Sequence, residues 1–258
     1  MKKFLTIKNN TFIKILLMIL GVFFIFVLYE IIRVLANNPI LFPTLKEIFN
    51  SFINLFQNSE LFLNFLITIG RTFLAIFISF IFGYLLGNIA GFFPKFHYFF
   101  HPLISIMKCI PVPCFIFVLF VYFFNRSLIS ILIIIFIVIF PLIYEASREG
   151  ITNIDNNVIL SLRIEGLYKK NSLFKVILPL SFNYVLLSLL SSIGLALKIE
   201  ITAEILLNPQ YTKGIGQFVY LAYSQAIYPD LYATLILIVL VFLIFDIVIT
   251  ILKKFLRK

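Results

Sequence analysis

Charged side chains are scarce in this chain, 12% of residues against 62% hydrophobic, so each one inside or beside an apolar run is informative. Arg71 stands alone as a basic residue in a long apolar segment, and Glu200 and Glu204 are four apart at the end of another. Those types at that spacing can pair ions or line a polar path through lipid. His97 and His101 are also four apart and could share a helical face as metal ligands. No carboxylate accompanies them as in a zinc-protease motif, and interfacial histidines are the alternative. Cys109 and Cys114 lie in an apolar stretch without CxxC spacing, which indicates neither a disulfide framework nor a zinc site. No metal and no cofactor is therefore expected. No GxxxxGK[ST] phosphate loop, dinucleotide fingerprint or credible Ser/His/Asp set occurs, so the chain is not expected to be an enzyme or to hydrolyse ATP itself.

Two readings of the isolated charges stay open. Arg71 lies about two turns inside the end of its segment and can snorkel to the interface, or it can pair within the bundle with an acid such as Glu204. Glu200 and Glu204 are either solvated helix-end charges or the lining of an outer gate.

The elements that must position these residues follow from composition. At 258 residues the chain is too apolar for a soluble domain, and its net charge of +10 sits beside apolar runs rather than on a polar domain, which argues against nucleic acid. Apolar runs able to cross about 30 Å of hydrocarbon lie near residues 13–35, 62–92, 102–124, 127–144, 174–198 and 231–252. The expected fold is all-α: a polytopic membrane bundle of about six transmembrane helices. The first run is too long for a signal-peptide core and Leu35-Ala36-Asn37 is a poor cleavage site, so it is read as an uncleaved span. Lys2, Lys3, Lys8, Lys95, Lys108, Arg148, Arg163, Lys169, Lys170 and the basic C-terminus fall on one side, which predicts a multi-pass cell-membrane protein with both termini cytoplasmic. Three regions are expected: an N-terminal helix and outer connector (1–60), the main membrane domain (61–252) and a basic tail (253–258).

Within the second run, Ser79, Gly83, Gly87 and Gly91 repeat every four residues, a ladder that lets another helix approach closely where van der Waals packing drives association. Thr44-Leu45-Lys46-Glu47 opens a short capped helix in a region otherwise read as a surface connector. Pro102, Pro111 and Pro113 break or kink the third run.

The longest polar interruption runs from Glu145 to Pro179 and must sit in water between two spans. Inside it Val158, Ile159, Leu162 and Leu167 recur at helical intervals with Asn156, Asn157, Arg163 and Lys170 between them, an amphipathic helix whose apolar stripe needs a partner. Leu160 to Pro179 resembles the cytoplasmic "EAA" loop of ABC importer permeases: Gly166, Val176, Leu178 and Pro179 hold its spacing, while Leu160, Ser161 and Leu162 replace the opening triplet. Lys108 to Pro113, Arg71 with the glycine ladder, Glu204, and Gly214-Ile215-Gly216 are similar to elements of the nitrate, sulfonate and taurine branch of that family. The resemblance implies a pathway formed by two permease chains, as a homodimer, with two ATPase subunits docked on coupling helices and an extracytoplasmic binding protein delivering a small solute. It implies that Val158, Ile159, Leu162, Arg163, Gly166 and Leu167 form the coupling helix, and that Arg71, Glu200 and Glu204 belong to a gate or pathway. Nitrate, a sulfonate, taurine or a thiamine precursor would be the solute. An ion-coupled carrier would be expected to show carboxylates inside its spans, whereas these read as lying mostly at span ends; a membrane scaffold would not need the cytoplasmic helix.

Overall fold

The computed structural model describes residues 11–123, 127–164, 173–207 and 212–256. All regular structure among them is helical: α1 (Thr11–Ala36), α2 (Leu45–Gln57), α3 (Ser59–Phe92), α4 (Pro94–Cys109), α5 (Val112–Tyr122), α6 (Ser127–Thr152), α7 (Asn156–Ile164), a π-helical turn (Leu173–Ile177) leading into α8 (Leu178–Leu206), α9 (Ile215–Ser224) and α10 (Tyr228–Leu256). Four of these are long and apolar enough to span a bilayer unbroken: Ser59–Phe92, Leu128–Thr152, Lys175–Leu206 and Tyr228–Lys254. The 26-residue α1, the expected first span, reaches about 39 Å at 1.5 Å per residue.

The third expected span is not a single helix. Its two pieces, α4 and α5, meet at 97°. Pro111 lacks an N–H and pushes Ile110 into extended backbone (φ −71°, ψ 123°), and Pro113 then sits in the first turn of α5, where a proline costs no hydrogen bond.

The polar interruption also begins later than composition suggests. α6 continues through Glu145, Arg148 and Glu149 to Thr152, so the first eight residues of that stretch belong to a membrane helix. They stay helical against neighbouring helices: Lys108 Nζ of α4 lies 2.5 Å from Glu145 Oε2, and Ser147 is wholly buried where α3 has Gly87. At the far end of the interruption Pro179 cannot donate to a helical carbonyl, and the wider π-helical turn lies just before it.

The centre of the bundle is α6, an apolar helix packed against α3 and α8. Ile131, Ile134, Ile135, Ile139 and Ile143 meet Ala75, Ile76, Val185 and Ala196 in one buried cluster. The α3 ladder makes the closest approach. A Cβ on Gly83 would stand 2.9 Å from Ile143 Cβ, one on Gly87 2.6 Å from Ser147 Cβ, and one on Gly91 2.9 Å from Ile151 Cβ. Each side chain met is four residues further along α6, so the two helices run in register and the absent side chains are what allow the contact. Ser79, one turn earlier, is buried and donates to Ala75 O.

α2 is more than a connector. Thr44 Oγ1 accepts from Glu47 N–H and Glu47 Oε2 accepts from Thr44 N–H, a closed capping box. Its apolar face puts Leu55 and Phe52 against Leu61, Ala233 and Leu237, which ties α2 to α3 and α10. Tyr29 of α1 donates to Pro43 O (2.7 Å) and meets Tyr232 edge-on, which fixes the end of α1 to the same corner.

Candidate functional site: a buried ion cluster and a cytoplasmic helix

α3 presents Thr68, Arg71 and Thr72 on one face, and α8 presents Glu200 and Glu204 one turn apart. The structure brings these faces together. Both glutamates are fully buried and Arg71 is 9% exposed. Arg71 Nη2 donates to Glu204 Oε1 at 2.5 Å, Thr68 Oγ1 donates to the same oxygen at 2.7 Å, and Gly216 N–H donates to Glu204 Oε2 at 2.9 Å. Arg71 Nε lies 3.0 Å from Glu200 Oε1. Arg71 also donates to Lys213 O, and Ile215 N–H donates to Thr68 Oγ1 at 3.0 Å.

The reading of Glu200 and Glu204 as solvated helix-end charges is therefore corrected. α8 does not stop near residue 198 but runs to Leu206, both glutamates are buried, and the segment from Thr212 folds back over the Glu204 carboxyl group. For Arg71, the pairing with Glu204 is the geometry found. Both glutamates lie in the last two turns of α8, near the end of that apolar helix, and are buried there.

The cluster fastens α9 to the bundle. Residues on two different elements, α3 and α9, share one carboxylate of α8, and the glycines make room for it: a Cβ on Gly214 would overlap the Glu204 carboxylate, and one on Gly216 would stand 2.6 Å from Glu204 Cβ. Apolar packing of Ile201, Ile215, Val219 and Ile238 completes the seat. The sequence signal for this arrangement is the Gly-Ile-Gly triplet after two spaced glutamates. Thr68 escapes sequence reasoning, because a threonine inside an apolar run has no distinguishing pattern.

On the opposite side of the bundle, α7 opens with Asp155, whose Oδ1 accepts from Asn157 N–H at 2.9 Å, an N-terminal cap. Leu162 is buried within the chain, and Val158 and Ile159 are half-buried. The outward face shows Leu160, 51% exposed, and Ile164, 85% exposed. Of Arg163 only the helical backbone is described, and Gly166 and Leu167 lie outside the described residues. Thus part of the stripe drawn from the sequence faces the chain's own bundle, and a different apolar pair faces away from it.

His97 and His101 contact each other edge-to-face, and His97 Nδ1 lies 3.3 Å from Tyr144 Oη. Among the described residues no group of three or more His, Cys, Asp or Glu side chains could hold a metal ion. Both cysteines are free and exposed.

Nearly all of the chain is similar to one relative. A putative ABC transporter permease protein of Methanocaldococcus jannaschii is 27% identical over 252 residues, covering 95% of this chain and 92% of the relative. Two solved chains from inward-facing crystal forms of the MetNI methionine ABC transporter share the fold. One has a TM-score of 0.55 at 16% identity and covers 74% of this chain and 94% of its own; the other has 0.56 at 14%, covering 78% and 100%. The family of binding-protein-dependent transport system inner membrane components matches residues 79–258, a stretch that takes in the glycine ladder, the α6–α8 core, α7 and both buried glutamates, and this multi-pass membrane chain belongs to that family.

Proposed function

We propose that the chain is the pathway-forming permease of an ATP-driven importer, working as one of two such chains, with ATP hydrolysis supplied by separate ATPase subunits and a small solute delivered by an extracytoplasmic binding protein. The observation that carries the coupling part of this reading is α7. It is a short capped helix between two membrane helices, anchored inward by Leu162 and offering Leu160 and Ile164 outward. Apolar side chains exposed on a polar-flanked helix suit a partner's cleft, and a helix that follows α6 by three residues and buries Leu162 can pass the partner's motion into the bundle. The methionine transporter chains that share the fold come from an assembly of this general kind. The similarity of Arg71, Glu204 and the Gly-Ile-Gly element to the nitrate, sulfonate and taurine branch supports a small anionic or zwitterionic solute, with thiamine precursors as the other class in that branch. The buried cluster then acts as the fastening of an outer gate built from α9.

Buried carboxylates are also what an ion-coupled carrier would use. Family membership favours the ATP-driven reading over that one. The test is retention of the ATPase subunit in a pull-down from membranes. Ile164→Asp and Gly166→Trp are expected to insert normally and lose the subunit, since each places a charge or bulk at the contact. Full retention in both variants would refute the assignment of α7 as the docking helix.

A further inference from the structure

The buried cluster has one cation and two carboxyl groups, so with every group ionised it would carry one uncompensated negative charge in a site that water does not reach. The two carboxyl groups are not equivalent. Glu204 accepts from Thr68, Arg71 and the Gly216 N–H. Among the described residues neither oxygen of Glu200 accepts a hydrogen bond, and Arg71 Nε, although 3.0 Å away, is not directed at it as a donor. An ionised carboxylate in such a place would lack the several donors it has in water. The charged groups acting on Glu200 are Glu204 from its own helix and Arg71 from α3; α5, α6, α9 and α10 bring no charge to bear on it among the described residues. Lys198 and Lys213, near in sequence, are exposed. The carboxyl groups of Glu200 and Glu204 sit one turn apart on α8 against the same Arg71 guanidinium, and a hydrogen bond between them exists only when one of them carries a proton.

We infer that the cluster is a binding site for a single proton: Glu200 is a neutral carboxylic acid whose O–H donates to the Glu204 carboxylate. Bound, the proton makes the set of Arg71, Glu204 and Glu200 neutral and gives Glu200 its missing hydrogen bond. Lost, its O–H electron pair stays on Glu200, the proton passes to water, and two carboxylates face each other across one guanidinium. The repulsion falls on Glu204, which holds the Gly216 N–H and thereby the start of α9. The outer segment is thus latched by a proton, and alkaline pH loosens it. This holds whatever solute the chain carries, and whether or not α7 docks an ATPase.

The full chain in lipid nanodiscs provides the test, without any transported solute. Infrared spectra near neutral pH are expected to show a protonated-carboxyl carbonyl band in the wild type that is absent in Glu200→Gln. Hydrogen exchange of the amides from Ile215 to Ser224, corrected for the intrinsic base-catalysed rate, is expected to rise with alkalinity in the wild type, by up to about tenfold per pH unit for a single linked proton. It stays flat in Glu200→Gln, whose amide reproduces the neutral acid's shape and donates to Glu204. Glu204→Gln loosens the same amides at every pH, because a side-chain amide cannot accept all three donors. The inference is overturned if the carbonyl band survives in Glu200→Gln, if that variant is as loose as Glu204→Gln, or if wild-type exchange ignores pH and follows sodium concentration, which would make the site one for a metal cation. Should Glu204→Gln fail to insert, the wild type and Glu200→Gln decide alone.

Discussion

At the scale of single residues, Arg71 is the side chain on which most depends. It reaches Glu200, Glu204 and the Lys213 carbonyl from one position on α3, which only a forked guanidinium can do. Arg71→Met strands the Glu204 carboxylate in a buried site, and breaking such a pair from one side costs about 3–5 kcal/mol. The expected outcome is a lower unfolding midpoint in detergent, with part of the loss recovered in the double variant Arg71→Met/Glu204→Gln, because the uncompensated charge is then gone. A double variant no better than the single one would mean that Arg71 acts through packing alone. Glu47 offers a smaller residue-level case. The Thr44 backbone N–H, then the Thr44 hydroxyl, hold its carboxyl below the usual carboxylate range. A depressed acid stabilises above its unfolded pKa, about 4.3 for Glu, and that contribution is lost as pH falls through the folded value. Amide protection in the first turn of α2 is therefore expected to fall on acidification below that range, and in Thr44→Ala to be weak already at neutral pH.

Between elements, the contact of α3 with α6 is the least tolerant of change. At Gly87 an added Cβ would meet both the backbone of Tyr144 and the side chain of Ser147, and backbone cannot move aside as a flexible side chain can. Gly87→Leu is expected to lower yield and thermal stability, overpacking of this sort costing about 1–3 kcal/mol or more. Gly70, on the same helix with nothing within 4 Å of where a Cβ would stand, is the control: Gly70→Leu should behave as wild type. The pairing of these two variants separates a packing ladder from a general intolerance of bulk in α3. The bend between α4 and α5 belongs to this scale as well. Pro111 sets it through Ile110, while the 97° angle comes from where α6 and α8 leave room for the two short helices.

For the molecule as a whole, the ion cluster lies in the last two turns of α8 and α7 precedes the start of that helix, so the expected topology puts the two on opposite sides of the bilayer. Asn156→Cys and Lys213→Cys, each exposed, are expected to label from opposite faces of the membrane in a background with Cys109 and Cys114 changed to Ser. Labelling of both from one face would overturn the cytoplasmic placement of α7 that the basic loops suggest. If the placement holds, movement imposed at α7 reaches the outer cluster through α6, to which α7 is joined in sequence, and through the packing of α6 on α8. α7 joins the bundle where α6 ends, and α8 runs from that level through the α6 core to Glu200 and Glu204.

The sequence by itself determined the membrane class, most of the spans and the glycine ladder, because lipid imposes strict local rules: long apolar runs and small residues at helical spacing. It also marked Arg71, Glu200 and Glu204 as residues to explain, charge in an apolar run being rare. Tertiary structure alone decided what those charges are. Whether Glu204 is solvated or buried depends on α8 continuing past Lys198 and on the start of α9 folding over it, contacts between segments that no local pattern encodes. In the same way Glu145 and Arg148 read as loop residues until α4 supplies a lysine and α3 a glycine to extend α6 past them. The inward turn of Leu162, against the outward Leu160 and Ile164, was equally out of reach, since one periodicity fits either face and only the neighbouring helices choose between them.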